Sequence, residues 1–153
     1  DFNLEGADIR AATMRGSYVP NKSFRGTIAY FTGDTESFTS TYDADAESAP
    51  NLTLVAGTYA GLSTDDHTIT VNVDSAGTLS GHVSDGCTVA GTLSPRATSN
   101  VFHTSVTFGG EDCRQGTETL TGVALYDAAT NRLYSAALNS ARTTSYLFLG
   151  TKR

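Results

Sequence analysis

Three histidines, two cysteines and sixteen acidic residues are the side chains with most chemistry to offer in this chain of 153 residues. His67, His82 and His103 each fall in a strand-like stretch, opposite its apolar residues. That placement predicts solvent-facing imidazoles rather than a converging ligand set, so no metal site is expected. Asp65-Asp66-His67 has the acid and base of a hydrolytic triad, yet no Ser stands in a GxSxG elbow. Asp34, Asp65, Asp74, Asp85, Asp112 and Asp127 occupy turn-like stretches, where a carboxylate bonds its own backbone. Paired acids for glycoside hydrolysis must instead face each other across a cleft. Asp43-x-Asp45-x-Glu47 opens like a calcium loop but lacks the Gly at the sixth position and the Glu at the twelfth. Asn21-Lys22-Ser23 and Asn51-Leu52-Thr53 match the N-glycosylation acceptor, a pattern short enough to arise by chance. The expectation is a non-enzymatic protein with no cofactor.

Cys87 and Cys113 lie in Gly-rich loop contexts, "SDGCTVAG" and "GGEDCRQG". Two buried free thiols are one reading. An even count with no histidine nearby fits a disulfide better, and a disulfide belongs to an oxidising compartment. Two thiolates without a CxxC or HxxxH companion leave zinc half-ligated.

The net charge of -6 and the scatter of the ten Lys and Arg residues exclude a nucleic-acid partner, which needs a basic stripe. Gly, Thr and Ser are abundant, Trp is absent, and charged residues make up 17% of the chain, below the usual quarter. This is the composition of a turn-rich, extracytoplasmic β-protein. The length suits one domain. The chain starts at Asp1, without Met or a run of 18 apolar residues, and reads as a processed or truncated product.

The elements that would position these side chains are strands. The clearest stretch is 119–150, where 119–126 and 132–138 flank Asp127-Ala128-Ala129-Thr130-Asn131 and 146–149 follows. Asp at the start of that loop can bond the turn, and Asn near its end tolerates positive φ, so a hairpin is predicted. Further strands are read at 12–19, 24–31, 36–42, 52–62, 67–73, 78–83, 87–94 and 101–108, a rhythm of about ten residues from 53 onward. Residues 1–11 read as a flexible lead-in, 12–42 as N-terminal strands, 43–51 as an acidic linker closed by Pro50, and 52–153 as the main meander of a single domain spanning 12–153. About eight strands in the meander predict an antiparallel up-and-down barrel with an N-terminal strand extension, because closure removes exposed edges. A β-sandwich is the alternative. Strands apolar on both faces at 123–126, 136–138 and 146–149 indicate that something covers the outside, either the 12–42 segment or a second copy of the chain. The strands are too short and their outer faces too rich in Thr and Ser for a membrane-spanning barrel.

At "AGTYAG", "GCTVAGTLSPR", "VTFGGEDC" and "LTGVALYDAATNRLYSAALNSARTTSYLFLGTKR" the chain resembles small β-barrel lipoproteins of Gram-negative bacterial envelopes, over most of 14–153. The resemblance implies a barrel held to the outer membrane or cell surface by an N-terminal lipidated Cys, with no assigned activity. This chain has no such Cys, so a membrane contact through a lipid anchor is implied by resemblance alone. Gly57-Thr58-Tyr59, with Lys152 or Arg153 near the end, is similar to the Gly-x-Trp and basic residue of lipocalin and avidin-type barrels, with Tyr for Trp.

Two functions follow as expectations. The first is a surface or envelope domain that contacts a host or envelope protein. The second is a carrier of a small apolar ligand in the barrel interior, lined by Tyr59, Phe102, Val106, Phe108, Tyr126 and Tyr134. Plain core packing is the competing use of those residues.

Overall fold

The computed structural model describes residues 11–63, 67–97, 99–110, 113 and 116–153. The 1–10 lead-in and the turn acids Asp65, Asp66 and Asp112 lie outside the described residues. The fold is all-β: eight antiparallel strands close into a barrel, and three more form a separate sheet. A sandwich is thereby excluded.

The barrel strands are Gly57–Ser63 (β4), Thr68–Val73 (β5), Thr78–Val83 (β6), Thr88–Pro95 (β7), Phe102–Gly109 (β8), Thr119–Asp127 (β9), Arg132–Leu138 (β10) and Ser145–Lys152 (β11). Each pairs with the next, and β11 returns to β4 with Leu149 opposite Leu62 and Gly150 opposite Gly61. Alternation decides what each strand contributes. Ile69, Val71 and Val73 point inward, as do Val89 and Leu93, Phe102, Val106 and Phe108, and Tyr146 and Phe148. Their neighbours in sequence, such as Asn72, Ala90 and His103, are exposed. One apolar cluster fills the barrel.

The turns follow their residue chemistry. Between β9 and β10 the Asp127 carboxylate accepts from the backbone N–H of Ala129 (2.9 Å) and Thr130 (3.2 Å) and from the Thr130 hydroxyl (2.6 Å). Asn131 then takes φ of 55°. This is the hairpin expected from the sequence. Asp74 does the same between β5 and β6, accepting from Ala76 and Thr78 N–H ahead of Gly77 at φ 85°.

The expected strand over 52–62 divides in two. Leu52–Val55 is one helical turn (α1), and β4 begins only at Gly57. Asn51 caps the turn by accepting from the Thr53 N–H, a local bond that outweighs the strand preference of Thr and Val. The turn buries Val55 against the core, and the Tyr59 hydroxyl donates to the Val55 carbonyl. Lys152 donates to the Leu54 carbonyl at 2.7 Å, which fixes the turn to the last strand. The linker ahead of it contains a 3-10 turn, Ala44–Glu47, capped by Asp43.

At the other end, Cys87 and Cys113 form the disulfide, closing a span of 26 residues between the start of β7 and the loop after β8. A loop of that length contributes roughly 3 kcal/mol by chain entropy. Nearby, buried Asn139 accepts from the Thr143 and Thr144 N–H groups and donates to Glu118 and Thr143, so its side-chain amide is fully paired within the β10–β11 loop and to Glu118.

Residues 12–42 do not enter the barrel. Ala12–Val19 (β1), Ser23–Tyr30 (β2) and Thr35–Thr41 (β3) form their own antiparallel sheet in the order β1-β2-β3. One face carries Met14, Tyr18, Phe24, Ile28 and Phe38; the other is mostly Thr, Ser and Arg. Phe24 and Phe38 pack at 4.9 Å between ring centroids, over the opposed pair Gly16 and Gly26. A Cβ on Gly26 would come 2.9 Å from the Phe38 ring, so glycine is what lets the ring lie flat there.

Candidate functional site

Five of the six expected pocket-lining residues do come together. Tyr59 and Phe102 are fully buried, and Val106, Phe108 and Tyr126 lie in the same cluster. Tyr126 also borders a cavity at the barrel end, together with Val55 of the same cluster. Tyr59 meets Tyr126 edge-on with centroids 6.3 Å apart, and Phe108 meets Tyr146 at 5.0 Å. Burial pushes the Tyr59 and Tyr146 hydroxyls well above the usual phenol range, so both stay neutral at ordinary pH. All five of the expected residues belong to the hydrophobic cluster inside the barrel.

Two interior hydroxyls, Thr104 and Ser135, are buried without a hydrogen-bond partner among the described residues. They sit among small residues on β8, β9 and β10, where Thr104 opposes Gly122 and Ser135 opposes Ala124.

The sixth residue, Tyr134, is on the outside. Inward-facing Leu133 and Ser135 on either side leave it no other direction. There it joins a surface that the sequence had marked as apolar on both faces. Register places Leu125, Tyr134, Leu149 and Leu62 in one row across β9, β10, β11 and β4. Val123, Ala136 and Leu147 form the row beside it. All of these but Leu62, together with Val101, line a shallow depression of about 370 Å3. Val123 is 43% exposed and Leu125 41%.

This apolar wall continues into a deeper groove. A cavity of about 500 Å3 lies between the 43–55 segment and the end of β9–β10, and it shares Leu125 and Tyr134 with the wall. Its rim carries Asp43, Asp45 and Asp127, together with Asn100. The Thr130 hydroxyl and the turn N–H groups hold Asp127 below the usual carboxylate range, with a smaller contribution from Arg132 opposite it. Asp127 is therefore ionised at neutral pH. Lys152 is occupied nearby, bonded to Leu54 and 5.7 Å from the Tyr126 ring centre.

The remaining sequence candidates stay apart. His67, His82 and His103 are exposed. No cluster of three metal-ligating side chains occurs among the described residues. Sequence reasoning missed the groove, since Asp43 and Asp45 lie more than 80 positions from Asp127 in the chain. The signal that could have found it was the Asn51 cap, which marks the helical turn that brings the 43–51 segment to the barrel end. Comparison of the chain with known protein families, with curated proteins and with solved structures finds no match.

Proposed function

We propose that this chain is a non-enzymatic protein of the bacterial envelope or cell surface that acts by contact, through the outer wall of its barrel. One observation carries the reading: seven apolar side chains on β4, β9, β10 and β11 form two adjoining rows on the outside of the barrel. Single exposed apolar residues need no explanation, but a contiguous patch marks an interaction site. The disulfide fits an oxidising compartment. The envelope setting and an anchor upstream of this sequence rest on the resemblance to lipoproteins. The carrier reading has weaker support, because Tyr59, Phe102, Val106 and Phe108 are buried in the core cluster and only Tyr126 and Tyr134 border the cavity at the barrel end.

An apolar fluorescent dye, bis-ANS, tests the wall. Val123→Ser with Leu125→Ser is expected to lower dye fluorescence about threefold, from the loss of two adjoining apolar contacts. The melting curve should move by no more than about 1 kcal/mol equivalent, since both side chains already face solvent. Unchanged dye binding with a native-like melt would overturn the reading.

A further inference from the structure

Resting on that reading, the geometry points to a partner class: an extended peptide segment whose alternate residues are apolar, apolar and then Lys or Arg. The basic side chain would enter the acid-rimmed groove, and the apolar pair would lie on the wall.

Spacing carries this. Val123, Leu125 and Asp127 point outward from β9 at every second residue, so successive levels lie about 6.8 Å apart along the strand. An extended peptide presents its own alternate side chains at that same repeat. Opposite them on β10, Ala136 and Tyr134 complete the floor at the two apolar levels. At the third level the surface changes character within one repeat, from Leu125 and Tyr134 to the rim of Asp43, Asp45 and Asp127.

Charge fixes the sign of the partner. Three acidic residues line the groove; Asp127 bonds its own turn and Asp43 accepts from the Asp45 N–H, while the Asp45 carboxyl makes no hydrogen bond among the described residues. The nearby cations do not cancel them all. Lys152 is committed to the Leu54 carbonyl, and Arg132 lies in register with Asp127. Asp43 and Asp45 are exposed, so they attract a cation through solvent as a screened pair of like charges, and the Tyr134 ring can pack along the stem of a Lys or Arg. An acidic peptide would meet like charge at this end, on a protein of net charge -6.

Fluorescence anisotropy with two synthetic peptides tests the inference on the whole chain. One is fluorescein-labelled Ser-Leu-Thr-Leu-Thr-Arg-Ser-amide; the other carries Glu in place of Arg. In about 50 mM NaCl the Arg peptide is expected to bind about fivefold more tightly, a preference that shrinks as salt is raised. Asp43→Asn with Asp45→Asn should reduce the preference to about twofold or less. Asn at 43 can still accept the Asp45 N–H, so this variant should keep the native circular dichroism spectrum. Val123→Ser with Leu125→Ser should weaken both peptides alike. Equal binding of the two peptides, or an Arg preference that survives Asp43→Asn and Asp45→Asn, overturns the acidic-groove inference while leaving the wall intact. Binding of neither peptide also overturns it. If bis-ANS binding is then insensitive to the wall variant as well, the contact reading itself falls.

Discussion

Phe102→Ala should cost about 4 kcal/mol of folding stability and lower the melting temperature by about 10 °C. Phe102 is wholly inaccessible, at the start of β8, between Pro95 on one neighbouring strand and Ala124 on the other. Removing the ring deletes its transfer free energy and leaves a void that the closed ladder cannot collapse around, because every strand is held on both sides. The loss is large against the roughly 5–15 kcal/mol that separates folded from unfolded states in domains of this kind. Below its melting temperature the variant should bind bis-ANS at the outer wall as the parent does. A carrier would respond the other way, with modest loss of stability and marked loss of ligand. Thermal melts followed by circular dichroism, with dye titrations at a temperature where both proteins are folded, separate the two.

Gly122→Ala should destabilise by at least about 3 kcal/mol, although it adds a single methyl group. Gly122 is at an inward position of β9, opposite Ala137 on β10. A Cβ there would lie 1.9 Å from the Ala136 carbonyl oxygen and 2.7 Å from the Ala137 Cα. Both obstacles are backbone, so no rotamer change relieves them and the β9–β10 ladder must open. Gly91 on β7 stands in the same relation to the Ser105 carbonyl oxygen, at 2.0 Å. Small inward residues at such points let the strands coil tightly enough to close with eight. Gly109→Ala is the matched control. Its added Cβ would meet only the Thr88 hydroxyl at 3.0 Å, a side chain free to rotate, and urea unfolding should show a change below about 1 kcal/mol.

Much of this architecture was legible in the residues, and the reason is local. Ile69-Thr70-Val71-Asn72-Val73 alternates, so its buried face is fixed by its own pattern. Asp127 and Asn131 announce their hairpin by side-chain chemistry, and two cysteines in loops announce a bond. Legibility failed where both faces of a strand are apolar. In Leu133-Tyr134-Ser135-Ala136-Ala137 alternation does not say which face is inside, and a one-residue change of parity moves Tyr134 from core to wall. The same ambiguity was the useful signal at 123–126 and 146–149, where it marked the apolar outer wall. Leu52-Thr53-Leu54-Val55 was misread as strand because it runs unbroken into the next β segment, and only the Asn51 cap distinguishes it. Apart from that cap, nothing local in the sequence points to the groove. It exists because that helical turn brings the 43–51 segment over the β9–β10 end, a long-range consequence of barrel closure.

On the proposed contact function, the barrel interior is core and the outer wall is the working surface. Native mass spectrometry of the protein purified from its own source, without refolding, tests it most directly. The expected result is a native mass equal to the denatured mass, any covalent lipid included, with the Cys87–Cys113 bond accounting for two hydrogens below the reduced value. A reproducible small-molecule adduct, lost on denaturation and retained by the Val123→Ser and Leu125→Ser protein, would contradict it and return the function to the barrel interior.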